Sequence, residues 1–493
     1  MKNVKILLLG LFFSLAFFGC KDDDMEGLLP PGADFNYTPE APVAEQEILF
    51  YADPTEGSGE IVEWNWSFGD ADGSTSDKRN PYFTYPAAGT YDVTLTVKNA
   101  AGASFEVTKP VEVAPPPKDF IADIVWEFTN NTPVTGINEG TNAPVIGDDG
   151  SVYYVEGYAG SDSKVVAVTD QGESAQLKWA TAPGNRIQNA PSMGPDGNIY
   201  IEAWLANGIF KINGATGEIM WNGNTVAQVS NNTAAIDAEG NIYHGSRSNA
   251  LAGIFSWTSG GEKRWEIVGV GAFYAAPAIS KDGKTVYYLN TDTGKIWAVN
   301  TADGTLKWSD PVGANSGGYG PSVSLDGEGT IYFTTNEQVA AVTDNGESGA
   351  VKWIADIPGA ANSGVTIGPN GDLYTGAGAG LVSINPADGS VNWTYSLSTN
   401  ESMPAVDVNG NIYIGTTDGK LVVVNPEGML LKEFQLGDGV VNSPTIANDG
   451  TVYIEAVAGN VIKLFKIAVA ESGPADSPWP MKGQNVKNTG QIQ

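Results

Sequence analysis

Asp282-Gly283-Lys284-Thr285-Val286-Tyr287, then Lys295-Ile296-Trp297-Ala298-Val299, then Ala302-Asp303-Gly304 and a run ending at Trp308 read as strands joined by turns. Asp-Gly favours the positive φ of a hairpin turn, and the runs are β-branched and aromatic. The same order recurs along the chain. A turn pair, a β-branched or Leu residue and a Tyr mark each unit, at Tyr153, Tyr200, Tyr243, Tyr287, Tyr332, Tyr374, Tyr413 and Tyr453. The mean spacing is about 43 residues, in the range of a four-stranded propeller blade. A short apolar segment, such as Ala143-Pro144-Val145-Ile146, precedes each unit. The last strands end in Trp179, Trp221, Trp265, Trp308, Trp353 and Trp393, with Phe434 in that place in the seventh unit. The eighth unit lacks this strand, and an unassigned one lies in front, Ile124-Val125-Trp126-Glu127-Phe128. The front strand is therefore predicted to close the last blade, which removes the open ends of a linear stack. The reading is all-β, with an eight-bladed β-propeller over residues 121–469. Seven blades is the alternative, if a terminal unit is degenerate.

The Asp-Gly-x-β-Tyr and Gly-x-β-x-Trp repeats resemble the PQQ-like β-propellers, which include quinoprotein dehydrogenases and an outer-membrane assembly lipoprotein type. The resemblance implies fold rather than function, because such folds host many unrelated sites. Residues 470–493 contain Ser477-Pro478-Trp479-Pro480-Met481-Lys482-Gly483 and Asn488-Thr489-Gly490, similar to a motif that accompanies these propellers. This tail is expected to pack on the propeller, with Trp479 covering a blade edge.

Residues 33–114 carry other short runs, among them Ile48-Leu49-Phe50-Tyr51, Val62 to Phe68, and Tyr91 to Val97. Turn clusters separate them, and the whole reads as a small Ig-like sandwich. Trp66-Ser67-Phe68-Gly69-Asp70, Asn80-Pro81-Tyr82-Phe83-Thr84-Tyr85, Gly89-Thr90-Tyr91 and Val93-Thr94-Leu95-Thr96-Val97 resemble the PKD domain in order and spacing. Ala71 and Asp72 lengthen that family's Gly-Asp-Gly turn, and Phe83 stands where a His is frequent. Trp64, Trp66 and Phe68 are expected in the core. Asp70, Asp72 and Asp77 are candidate Ca²⁺ ligands, against the simpler reading of a polar turn. The resemblance implies a spacer or auxiliary binding module. A Pro-rich linker, residues 115–120, follows.

Residues 1–19 have a basic start and a short apolar run, the pattern of a secretory signal. The only Cys follows at Cys20, and the junction resembles a bacterial lipobox. That resemblance implies cleavage before Cys20 and its lipidation, with more than one acyl chain for stable anchoring. Residues 20–32 form an acidic, Gly- and Pro-containing tether. Its Lys21-Asp22-Asp23-Asp24 is similar to the signal that sends lipoproteins of the Bacteroidota to the cell surface.

Lys and Arg number 26 against 57 Asp and Glu, a net charge of −31. This balance argues strongly against nucleic acid as a partner, which requires a basic face. One His and one Cys in 493 residues remove most His-based metal sites, Ser–His–Asp triads and Cys–His pairs. The known quinone-dependent relatives often add a vicinal disulfide and a haem-attachment motif, which one Cys cannot supply. No PQQ, and no cofactor beyond Ca²⁺, is expected. Lyases on similar propellers lean on His, Lys or Arg around a metal. Here His244 stands alone and reads as a packed or rim residue. No motif supports paired carboxylates for glycoside hydrolysis.

Counting back from each repeat Tyr to the start of its blade gives Asn142, Asn189, Asn232, Ala275, Tyr319, Ser363, Ser402 and Asn442. In a propeller these positions are expected to ring one mouth of the channel. Arg186, Gln188, Asn231, Phe273, Tyr274, Asn362 and Glu401 are neighbours. Amides suit sugar hydroxyls and rings suit pyranose faces, so the predicted binding set is Asn142, Arg186, Asn189, Asn232, Phe273, Tyr274, Tyr319, Asn362, Glu401 and Asn442. The alternative is that Asn and Ser cap local turns. No catalytic residue is expected. The whole reads as a monomeric, non-enzymatic lipoprotein, held to the outer membrane only through Cys20 and facing the exterior. Its expected ligand is a glycan or an envelope or extracellular protein. A scaffold for another envelope protein is the alternative, and a quinone-dependent dehydrogenase or polysaccharide lyase the third.

Overall fold

A computed structural model describes residues 30–492, except 40–41, 45, 56–59, 115–119, 134–141, 158–162, 185, 204–207, 225–227, 230–232, 248–250, 312–321, 336, 361–362, 400–401 and 471. The chain divides into two compact units, Met1–Lys118 and Asp119–Gln493. Among the described residues every regular element is a strand.

The first unit is a sandwich of a three-stranded and a four-stranded antiparallel sheet. Trp66 and Phe68 are buried between them, and Trp64 is half-buried at the margin. Phe83 stacks on Phe68 with ring centroids 4.1 Å apart, so the residue that replaces His joins the core. The buried Tyr85 hydroxyl donates to the Phe68 carbonyl at 2.7 Å. This bond ties the strand region before Gly89 to the lengthened turn.

The second unit contains eight sheets with one strand order. Blade 1 runs Val145–Ile146, Ser151–Glu156, Lys164–Asp170, Ala175–Thr181, and blade 4 runs Ala278–Ile279, Thr285–Asn290, Lys295–Asn300, Leu306–Pro311. In blade 1 the Tyr strand is wholly buried, whereas the outermost strand alternates around one buried Trp. Central strands packed on both faces need continuous apolar runs, and edge strands do not. Gly283 has φ 70°, the conformation that Asp-Gly pairs supply.

Blade 8 consists of Thr445–Ile446, Val452–Ala458, Val461–Val469 and, as its outermost strand, Ala122–Phe128. Lys466 faces Trp126 in that pairing. The eight-blade reading with closure by the front strand is therefore what the structure shows.

The Trp of each blade acts across the seam to the next blade. Its indole N–H donates to the turn between the third and fourth strands of that neighbour. Trp179 reaches Gly214 O at 3.0 Å, Trp265 reaches Thr301 O at 3.0 Å and Trp353 reaches Pro386 O at 2.8 Å. Trp308 and Trp126 use Asp344 and Asp170 carboxylates. The turn glycine lies flat against the same ring. A Cβ on Gly304 would sit 2.8 Å from the Trp265 ring, and its φ is +76°. A bulge one residue before the Trp, at Lys178 or Lys307, turns the ring into the seam.

Blade 7 departs from the expectation that Phe434 replaces Trp. The register that pairs Ala167 with Trp179 in blade 1 pairs Val423 with Lys432 in blade 7, and Phe434 lies two residues further on. Blade 8 explains the difference. Its third and fourth strands come from opposite ends of the unit, so no turn joins them and no turn carbonyl awaits an indole. Phe120, just before the closing strand, packs on Tyr413 at 6.2 Å. In blades 1 and 4 the corresponding Tyr–Trp distances are 5.7 and 6.3 Å.

The tail does not cover a blade edge. It winds around the hub on the face that carries the Asp-Gly turns. The innermost strands donate to it in succession: Ile367 to Trp479 O, Val406 to Pro480 O, Ile146 to Val486 O, Met193 to Lys487 O, Ile236 to Thr489 O and Ile279 to Gly490 O. These are blades 6, 7, 1, 2, 3 and 4. Ile492 packs in the cluster that holds Leu325 of blade 5. Trp479, 1% exposed, lies at the hub beside Ala234, Ala276 and Val323. Trp479→Ala should lower propeller stability by about 3–5 kcal/mol, the range for a buried Trp deletion. Urea unfolding of the intact chain would show this, and an unchanged midpoint would remove the tail from the account of stability.

Candidate functional site

Of the predicted binding set, Asn232, Tyr319, Asn362 and Glu401 lie outside the described residues, as does Cys20. Asn142, Asn189, Phe273 and Asn442 are buried, none more than 2% exposed. The physical reason is a pairing that the sequence reading missed. In blades 6, 7 and 8 the first-position side chain reaches the residue two places after the repeat Tyr. Ser363 Oγ accepts the Gly376 N–H at 3.1 Å and donates to Ser402 O at 3.0 Å. Ser402 Oγ accepts the Gly415 N–H at 3.0 Å and donates to Asn442 O at 3.2 Å. Asn442 Nδ2 donates to Glu455 Oε2 at 2.8 Å. These three side chains thus stitch blade to blade and face the wall rather than a ligand. Phe273 is core, edge-on to Tyr288 and Trp297.

Arg186 and Tyr274 keep exposed surface on the face opposite the tail. Arg186 has φ 63° and donates from Nε to Gln188 Oε1 at 3.0 Å. The Arg247 guanidinium lies over the Tyr274 ring, 4.8 Å from its centroid, a cation–π arrangement. The sequence reading did not single out Arg247.

In the first unit the three aspartates do not make a metal site. Among the described residues no group of three acidic, His or Cys side chains is placed to hold a metal ion. Both Asp70 oxygens are taken by Ser74, Oδ1 by its N–H at 2.8 Å and Oδ2 by its hydroxyl at 2.7 Å. The Ser74 hydroxyl holds the Asp70 carboxyl below its usual range. Asp72 and Asp77 are exposed. The lengthened loop is an Asp-capped turn.

The propeller interior holds ionisable groups that the sequence reading passed over. Glu202 and Glu455 occupy the same repeat position, two residues after Tyr200 and Tyr453, and Glu156 lies three after Tyr153. All three are buried. A charged residue inside a strand otherwise made of core residues was the available signal. His244 is fully buried, as a packed residue should be. Trp257 Nε1 donates to its Nε2 at 3.1 Å. An indole N–H can only donate, so Nε2 is the acceptor of this bond. The imidazole Nδ1–H then faces Glu202 Oε1 at 3.1 Å.

Burial pushes the Glu202 carboxyl up to about 7, partly offset by His244. Below about pH 4.5 both folded and unfolded chains carry that proton, and the group costs nothing. As pH rises towards 7 the unfolded chain releases the proton first, and stability falls by about 1.4 kcal/mol per unit. Glu202→Gln should therefore gain up to about 3 kcal/mol on the wild type between pH 4.5 and 7.5. Parallel stability–pH curves for the two would contradict this assignment.

A family model described as PKD domain matches residues 30–114. A second, described as outer membrane protein assembly factor BamB, matches residues 208–377 and 377–468, together more than half of the chain. The chain is 27% identical over 207 residues to serine/threonine-protein kinase AfsK of Streptomyces griseus, covering 39% of this chain and 25% of that protein. It is 23% identical over 222 residues to outer membrane protein assembly factor BamB of Yersinia pestis, covering 40% and 55%. The matched stretch spans no more than 55% of either relative. The crystal structure of BamB from Moraxella catarrhalis is similar in fold, with a TM-score of 0.52 and 17% identity over 70% of this chain and 97% of that one. By the extent of the second family match, this chain belongs to the family of outer membrane protein assembly factor BamB, with a PKD domain ahead of its propeller.

Proposed function

We propose that this protein is a non-catalytic envelope scaffold that holds a protein partner against the loop face of its propeller, opposite the tail. The observation that carries this reading is the closed hub. Ser363, Ser402 and Asn442 are spent on the wall, and the tail winds across the other mouth. The void left beside Trp479 and Asn488 is about 10 Å³, room for one water at most. A molecule built this way offers surface rather than a pocket. Family membership supports the reading, since BamB is by name an assembly factor for outer membrane proteins. In this account Cys20 carries the lipid anchor, Lys21 to Asp24 direct the chain to the cell exterior, and the PKD unit is a spacer. A second reading, glycan capture, is favoured by one observation: the half-exposed Tyr274 ring with Arg247 stacked on it.

A photoreactive residue placed at Tyr274 should trap one envelope protein in stoichiometric yield on intact cells. Retention of a glycan by residues 21–493, with no protein trapped, would replace the scaffold reading by the second. Cys20→Ser should move the chain from the membrane to the soluble fraction. If the variant still pelleted with membranes, the anchor assignment would be lost.

A further inference from the structure

We propose that the seam between blades 8 and 1 holds one buried divalent cation of the Ca²⁺ type, ligated by oxygens of Glu455, Asn142 and Asn442. This site is distinct from the aspartates of the first unit and from the loop face.

The wall pairing seen in blades 6 and 7 fails in blade 1, next to the Glu455 of blade 8. In blades 6 and 7 the first-position Ser and the residue two after the Tyr satisfy each other. Blade 1 pairs Asn142 with Val155 in the same positions. The Val155 N–H is directed instead at the Glu455 carboxylate of blade 8. Asn142 also turns towards that carboxyl and favours its charged form, but neither of its amide atoms completes a well-formed hydrogen bond among the described residues. Asn442 Oδ1, Glu455 Oε1 and Thr132 Oγ1 are likewise without a hydrogen-bond partner. Asn142, Asn442 and Glu455 are 0% exposed, and Thr132 is 3% exposed. Leaving one such group unsatisfied is costly, and here five polar atoms are gathered at one seam.

Four of the five atoms are oxygens, which fixes the chemistry of the occupant. Glu156 adds a second buried carboxylate, which accepts from the Asn130 N–H at 2.7 Å, the Thr132 N–H at 3.3 Å and the Tyr154 hydroxyl. Thr132 is thereby held at the same place. Burial first, and then Glu156, raise the cost of charging Glu455, and no Lys, Arg or His is paired with either among the described residues. Two buried carboxylates with surplus amide and hydroxyl oxygens are a donor set for a hard cation. Blade 2 also has a buried carboxylate in the Glu455 position, but Glu202 has the His244 ring 3.1 Å away, and the blades with Gly376, Gly415 and Leu289 there have no carboxylate at all.

The test uses the intact chain with Ca²⁺ at about 5 mM, above the ~10⁻³ M constants of extracellular calcium modules. Against EDTA, the propeller transition should rise by roughly 2–5 °C. Tb³⁺ should bind with saturable luminescence sensitised by Tyr154. Glu455→Gln can still accept from Asn442 but is a poor ligand, and it should lose both responses. If that variant does not fold, Asn142→Ala removes two of the unpaired atoms and should lose them equally. No Ca²⁺ response in the wild type would overturn the site and leave it filled by water. An equal response in a folded variant would overturn it too, as binding to the acidic surface. Neither outcome bears on the scaffold reading, which the cross-linking experiment tests separately.

Discussion

At every seam but the one between blades 7 and 8, a blade is held by a ring that belongs to its neighbour. The Trp at the bulge of one outermost strand lies on the turn glycine of the next blade and gives its N–H to that turn. A blade alone would leave this ring, and the apolar face beneath it, in water. The eight sheets therefore stand or fall together, and the Gly and the Trp of a single repeat serve two different seams. The Gly accepts the ring from the blade before, and the Trp reaches the blade after. This explains why a Gly-x-β-x-Trp spacing can be read within one repeat although neither residue completes the other.

The hub is organised by a different economy. Near the axis short polar side chains do the joining between blades. Ser192 and Ser324 donate to carbonyls of the following blade, as Thr445 does across the closing seam to Pro144. The tail then accepts the outstanding N–H groups of six innermost strands. Rigid walls of this kind leave chemistry to loops and seams. They also explain how one fold can appear beside a kinase and in an assembly factor.

Much of this architecture was legible in the sequence, because period, turn residues and Trp spacing are local signals. The closing strand was legible by subtraction, since one unit lacked a strand and one strand lacked a unit. What was not legible depends on neighbours in space. Phe434 was aligned with the Trp series by its aromatic character, but the register puts Lys432 there, and the ring on Tyr413 comes from Phe120. Trp479 announced a buried aromatic without saying that the tail circles the hub. The Asn and Ser column was correctly picked out as a repeat feature. Its use was misread, because the column it pairs with lies thirteen residues on in blades 6, 7 and 8 and has no single residue type.

The split last blade has a consequence for synthesis. Ala122–Phe128 leaves the ribosome early, and the strand it must join, Val461–Val469, emerges when most of the unit has been made. Meanwhile one face of blade 1 has no neighbour, and the early strand is an unpaired edge of the kind that recruits other chains. Phe120 waits with it. A nascent propeller of this design completes its ring only at the end of translation, so shielding of the early strand, by its own acidic surroundings or by a holdase, governs the yield of folded protein.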